Sequence, residues 1–178
     1  MNLEQDISSS DIAVIGMSGR FPGAAGLEQF WSNLCQGQEG IRVIADDELI
    51  GHGVDPQVVG ASDYVKAVAD VRGVEFFDNG FFGFTPRDAE IMDPQLRLLL
   101  ECAWSTIEDA GYNVEDYRGA IGVYAGAAPN SYSIENLLPN KELMRALAGP
   151  MSSLTIFTAS DALSTMVSFK LNLRGPSL

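Results

Sequence analysis

The chain has 178 residues, 46% of them apolar, and 11 basic against 24 acidic side chains give it a formal net charge of −13. That length and apolar share suit one globular domain or a large piece of a bigger one and exclude general disorder. The charge repels phosphate backbones and anionic lipid, which excludes nucleic acid and membrane surfaces as partners.

No apolar run approaches the roughly 18 residues of a membrane span, and the opening MNLEQDISSS lacks a secretory signal pattern, so the expectation is a cytoplasmic protein. Residues 1–10 have no periodic apolar pattern and read as a mobile arm. Folding is expected to begin at Asp11, where Ile12-Ala13-Val14-Ile15 has the continuous apolar character of a strand buried on both faces. Glycines 16, 19 and 23 follow. A glycine-rich loop after a strand invites a nucleotide-binding reading, but the spacing is not G-x-G-x-x-G and Pro22 obstructs a helix starting inside the loop, so a plain strand exit is preferred.

Leu27, Phe30, Trp31, Leu34 and Cys35 recur at helical spacing before Gly37, which predicts an amphipathic helix with Cys35 buried on its apolar face. Residues 38–85 alternate short apolar runs with Gly, Asp and Pro and are expected to form turns and short strands. His52 lies there between two glycines, as an exposed loop residue. Phe76, Phe77, Phe81, Phe82 and Phe84 are expected to pack in the core, since the basic residues that accompany a base-stacking platform are lacking.

The longest coherent element runs from Asp93 to Gly111. Asp93 is an N-cap, Pro94 fits the first helical position, Leu96, Leu100, Ala103, Ile107 and Ala110 form one stripe, and Gly111 supplies the stop. Leu98 and Cys102 project away from that stripe, leaving Arg97, Glu101, Ser105 and Glu108 as a narrow polar strip, so the helix should be covered on more than one side. A buried strand is expected over Ala120–Gly126, then a polar loop containing Tyr132, Asn136 and Asn140, and a short helix through Leu143, Met144, Ala146 and Leu147 ended by Gly149-Pro150. A further helix over Ser160–Leu171 carries Ser160, Ser164 and Ser168 as a small-residue packing seam that could serve a contact between protomers, and Arg174–Leu178 starts a new strand. Cys35 and Cys102 both fall in helical patterns and read as reduced, buried thiols, and one histidine with no Cys/His cluster gives no metal site.

The loop GMSGRFPGA, the segment TPRDAEIMDPQLRLLLECAWSTIEDAGY, the strand IGVYAGA and the ending FKLNLRGPS occur in that order and spacing. With them the sequence resembles the β-ketoacyl synthase (ketosynthase) domain of modular type I polyketide synthases over essentially Asp11 to Leu178. The resemblance implies an α/β protein of the thiolase-like fold, whose intact form stacks α-β-α-β-α layers from two similar halves and is usually a homodimer; residues 11–178 correspond to the first half, truncated before the nucleophile turn. In the family Gly175, Pro176 and Ser177 match the motif that precedes the nucleophilic cysteine, and two histidines follow much later. Neither Cys35, Cys102 nor His52 occupies a motif position, so the resemblance assigns no catalytic residue to this chain. It places Pro129, Asn130 and Thr158 along the acyl channel. It implies an acyl carrier protein as partner, with a phosphopantetheine-linked acyl substrate and no directly bound cofactor. Leu96 replaces the polar residue usual after MDPQ, a change expected to alter surface or dimer packing, and in Thr158-Ala159-Ser160-Asp161 only Asp161 matches.

Two function classes remain open on the sequence: half of a condensing enzyme, inactive by itself, and a non-enzymatic interaction module that pairs with a complementary half or with itself.

Overall fold

The computed structural model describes residues 10–129, 131–146 and 162–178. The elements in chain order are α1 (Leu27–Cys35), β1 (Arg42–Val43), α2 (Asp46–Gly51), α3 (Pro56–Val59), β2 (Ala67–Val68), α4 (Pro86–Ile91), α5 (Pro94–Asp109), a π-helical turn (Ser133–Leu137), α6 (Lys141–Ala146) and α7 (Leu163–Lys170). β1 and β2 pair antiparallel, Arg42 opposite Val68 and Val43 opposite Ala67.

α5 starts and stops as its sequence dictates. The Asp93 carboxylate accepts from Gln95 N at 2.8 Å, Pro94 occupies the first turn, and Gly111 takes φ +75°, a left-handed conformation that only glycine adopts without steric cost. Immediately before it, Thr85 caps α4 through a reciprocal pair with Asp88: Asp88 N donates to Thr85 Oγ1 and Thr85 N to Asp88 Oδ2, both at 3.1 Å. The corner between the two helices is tight, with Ile91, Met92 and Asp93 all buried.

The core forms where α5 meets α7. Leu96 and Leu100 pack with Phe82, Phe84 and Met92 against Leu163, Val167 and Leu171, and Ala103, Trp104 and Ile107 extend the contact. Lys170, at the end of α7, adds a polar tie: its Nζ donates to Gly83 O at 2.9 Å and sits 3.6 Å from the centre of the Phe84 ring. Burial lowers the pKa of this ammonium. A smaller cluster joins Ile91 to Leu137 and Leu143 beneath the π turn and α6.

Several sequence expectations are corrected. Residues 12–15 form no strand: among the described residues none pairs with them, and Ile12, Val14 and Ile15 are 94%, 77% and 60% exposed. An apolar run becomes a buried strand only when neighbours supply hydrogen bonds and cover; here its end merely docks on α5, where a Cβ on Gly16 would lie 2.5 Å from Thr106 O and Met17 N donates to Asp109 at 2.8 Å. α1 buries none of its residues, and Cys35 is exposed rather than buried, because the helix packs chiefly through Phe30 stacked on Phe21 with ring centres 4.1 Å apart. Phe82 and Phe84 enter the core, whereas Phe76 and Phe81 stay outside it. Residues 38–85 hold two short helices besides turns and strands. Leu96 is buried at the centre of the core, so the substitution after MDPQ contributes to packing inside the chain rather than at its surface. Asn136, expected in a loop, falls inside the π turn. The mobile-arm expectation for residues 1–9, and those for Leu147, Gly149, Pro150, Thr158, Ser160 and Asp161, lie outside the described residues.

Leu100 is fully buried between α5 and α7, so Leu100→Ala leaves a cavity that neighbouring helices fill only in part. It should lower unfolding free energy by about 2–5 kcal/mol, read as a reduced urea midpoint with an unchanged slope. Leu98→Ala, at a half-buried position, should cost clearly less.

Candidate functional site

The chain turns out of α7 through Asn172, which adopts φ +51°, a left-handed position that asparagine tolerates better than most residues; Leu173 N then donates back to Ser168 O at 2.8 Å. This redirects residues 175–178 alongside residues 121–125. Gly175 N donates to Ile121 O at 2.9 Å, Val123 N to Pro176 O at 2.8 Å, Leu178 N to Val123 O at 3.0 Å and Ala125 N to Leu178 O at 3.0 Å, a parallel ladder with Ser177 opposite Val123. Residues 121–125 alternate half-buried and exposed rather than being buried throughout: Val123 and Ala125 face the α5–α7 core and Gly122 and Tyr124 face away.

Two glycines make this pairing possible. A Cβ on Gly175 would collide with the backbone of Ile121 and Gly122, and one on Gly122 would sit 3.3 Å from Pro176 O. Ser177 is further tied to α7, its hydroxyl 3.1 Å from that of Ser168. The seam read from the α7 serines therefore serves the chain's own final strand at Ser168, and Ser164 is buried in the core.

The segment after residue 126 is held to the α4–α5 corner. Ala128 N donates to Gln95 Oε1 at 3.0 Å, Gln95 Nε2 donates to Ala128 O at 3.3 Å, and Tyr132 OH donates to Glu90 O at 2.8 Å.

These motif positions coincide with a known family pattern. The β-ketoacyl synthase N-terminal domain model matches residues 9–178. The chain belongs to the β-ketoacyl synthase family. It is 41% identical over 93% of its length to polyketide synthase PksN of Bacillus subtilis, spanning 3% of that protein, and 40% identical over 94% of its length to polyketide synthase ThaG of Burkholderia thailandensis, again spanning 3%. Among solved structures, ketosynthase twelve of the bacillaene polyketide synthase from Bacillus amyloliquefaciens superposes with a TM-score of 0.76 at 40% identity, over 93% of this chain and 28% of that one. The fold is thus the thiolase-like α/β fold of ketosynthases, of which this chain holds the N-terminal half, and the family comprises condensing acyltransferases.

Within this ketosynthase half the structure brings Gly175, Pro176 and Ser177 together on the ladder and leaves Pro129 exposed beside the Gln95 clamp; Asn130 and Thr158 lie outside the described residues. Arg20, in the glycine loop, turns to Glu101 on α5 at 3.0 Å, so its guanidinium ties loop to helix. His52 caps the end of α2 in the open. Cys102 is half-buried, and burial raises its pKa, outweighing the opposing pull of Arg20 and of a Ser18 hydrogen bond, while Glu101 adds the smallest contribution in the upward direction. The Gln95 clamp has no signature in the sequence, because a glutamine in a first helical turn carries no local signal of which backbone it will meet 33 residues later.

A thiol that ionises reluctantly behind partial burial should alkylate slowly. With iodoacetamide at pH 8, exposed Cys35 should label first and Cys102 at least about tenfold more slowly. Digestion and mass spectrometry over a time course measure both; equal rates would contradict the burial of Cys102.

Proposed function

We propose that the chain is the N-terminal half of a polyketide synthase ketosynthase domain, residues 11–178 forming the scaffold that leads into the nucleophile turn. In the intact domain an acyl group carried on the phosphopantetheine arm of an acyl carrier protein passes to a cysteine thiolate. Decarboxylation of a malonyl thioester then supplies the carbon nucleophile that attacks the acyl-enzyme. Thiolate attack suits thioesters, and histidines stabilise the enolate oxygen that develops. On this reading those three side chains lie outside the present chain, and Pro129, Asn130 and Thr158 border the acyl channel.

The single observation that carries the reading is the ladder that fixes Gly175, Pro176 and Ser177 against residues 121–125, with Ser177 bonded to α7. A chain that must deliver a nucleophile to a defined point needs the preceding strand held in register, and the two glycines hold it. Cys35, Cys102 and His52 fit no catalytic role: the first and last are exposed and unconnected to this strand, and burial disfavours the Cys102 thiolate.

A second reading, an interaction module pairing with a complementary half or with itself, is favoured by apolar side chains left open: Ile12 at 94%, Val14 at 77%, Tyr124 at 69% and Leu178 at 73% exposure. The two readings share the expectation that this surface is covered by another half or another protomer. They differ in whether the assembly has chemistry.

Intact-protein mass spectrometry after incubation with an acyl thioester tests the proposal. The chain alone should gain no acyl mass, and the same chain mixed with a complementary second half should yield an acyl adduct on a cysteine of that half. Stoichiometric acylation of Cys35 or Cys102 would overturn the proposal, and a compact assembly that never acylates would establish the interaction module.

A further inference from the structure

We infer that Gln95 is a positioning residue that sets acyl-group selectivity in the condensing site, by clamping the segment that carries Pro129; the inference rests on the ketosynthase function and channel placement proposed above. Gln95 stands on the first turn of α5, and both ends of its side-chain amide are hydrogen-bonded. Nε2 donates to Asp93 Oδ2 and to Ala128 O, both at 3.3 Å, and Oε1 accepts from Ala128 N at 3.0 Å. The exchange with Ala128 copies one rung of a β-ladder: a side-chain amide offers one donor and one acceptor to the donor and acceptor of a single peptide residue. Only a primary amide of this length can do so. Glutamate lacks the donor and would set a second carboxylate beside Asp93, itself 7% exposed, and asparagine is one methylene too short.

A second anchor lies just beyond, where Tyr132 OH donates to Glu90 O at 2.8 Å. Ala128 and Tyr132 are thereby both fastened to the α4–α5 corner, whose residues Ile91 and Met92 are 1% and 0% exposed and therefore do not move independently of the core. Pro129 follows the clamped residue directly, and its ring fixes φ, so its placement is inherited from the clamp. A wall residue held in this way fixes where an acyl chain can run; freeing it changes the depth of the channel more than the chemistry at its end. The selectivity among acyl groups should therefore respond to Gln95, while the general competence of the fold should not.

The test uses the intact condensing domain containing this segment, with Gln95→Met, which keeps length and removes the hydrogen bonds, and Tyr132→Phe, which removes one bond and keeps the ring. Acetyl and octanoyl thioesters of N-acetylcysteamine are offered in competition, and the acyl adducts are weighed over time. Gln95→Met should shift the octanoyl-to-acetyl rate ratio by about tenfold, as a small misplacement of a substrate-contacting wall can. Tyr132→Phe should shift it in the same direction by less, and both variants should melt close to the parent. A ratio unchanged in both variants, whether the two rates fall equally or not at all, would assign the clamp to folding alone and overturn the inference while leaving the proposed function standing. A parent domain that accepts neither thioester would overturn the function and the inference with it.

Discussion

The structure depends on how closely two stretches of backbone approach each other. Gly175 lies against Ile121 and Gly122 with no room for a single added carbon, and the ladder running from Gly175 to Leu178 exists because of that approach. Everything that delivers the final strand serves this contact. α7 ends in the left-handed Asn172, the chain reverses, Ser168 receives Ser177, and the α5–α7 core keeps both partners from sliding. A glycine is costly in a strand interior because it orders the most flexible of backbones. Its presence at 122 and again at 175 is explained by the space the other strand occupies.

From that contact the layering follows. α5 is wide enough in its apolar coverage to serve two neighbours: α7 along Leu96 and Leu100, and the glycine loop along Thr106 and Ala110 where Gly16 docks. Arg20 to Glu101 and Met17 to Asp109 fasten the same loop by polar contacts at the helix rim. Exposed pairs of this kind contribute little stability, so they are best understood as fixing the direction in which the loop leaves the helix. Between residues 13–16 and Ala120–Ile121 an apolar cleft of ≈ 440 Å³ remains over the end of α5, edged by Tyr112 and Tyr117. It adjoins the exposed side chains of Val14 and Ile15 and marks the side on which the half-fold is open.

What could be read in the sequence was whatever is decided locally. The Asp93 cap, Pro94, the stripe through Leu96 and Leu100 and the Gly111 stop were all legible, because capping and helical period depend on neighbours within a turn or two. The motif order that identifies the family was legible for the same reason, residue by residue. Burial was not. Ile12 to Ile15 and α1 have the composition of buried elements, yet residues 12–15 are exposed and α1 is at most half-buried, since burial is a property of what lies opposite, and an apolar pattern cannot say whether its cover belongs to the same stretch of chain. The same holds for Cys35, which α1 leaves exposed. The Gln95 clamp and the Ser168 to Ser177 bond were invisible, because each joins polar side chains to distant partners with no periodic trace.

The absence of a side chain at Gly175 sets the register of residues 175–178 against residues 121–125. Amide hydrogen exchange resolved to single residues, on this chain and on Gly175→Ala, tests it most directly. In the parent, the donors Val123, Ala125, Gly175 and Leu178 should exchange slowly, as hydrogen-bonded ladder amides do. In the variant those four positions should lose protection while the amides of α5 around Leu100 keep theirs. Protection retained at Val123 and Leu178 in Gly175→Ala would show that the two strands do not need the close approach, and would contradict the account.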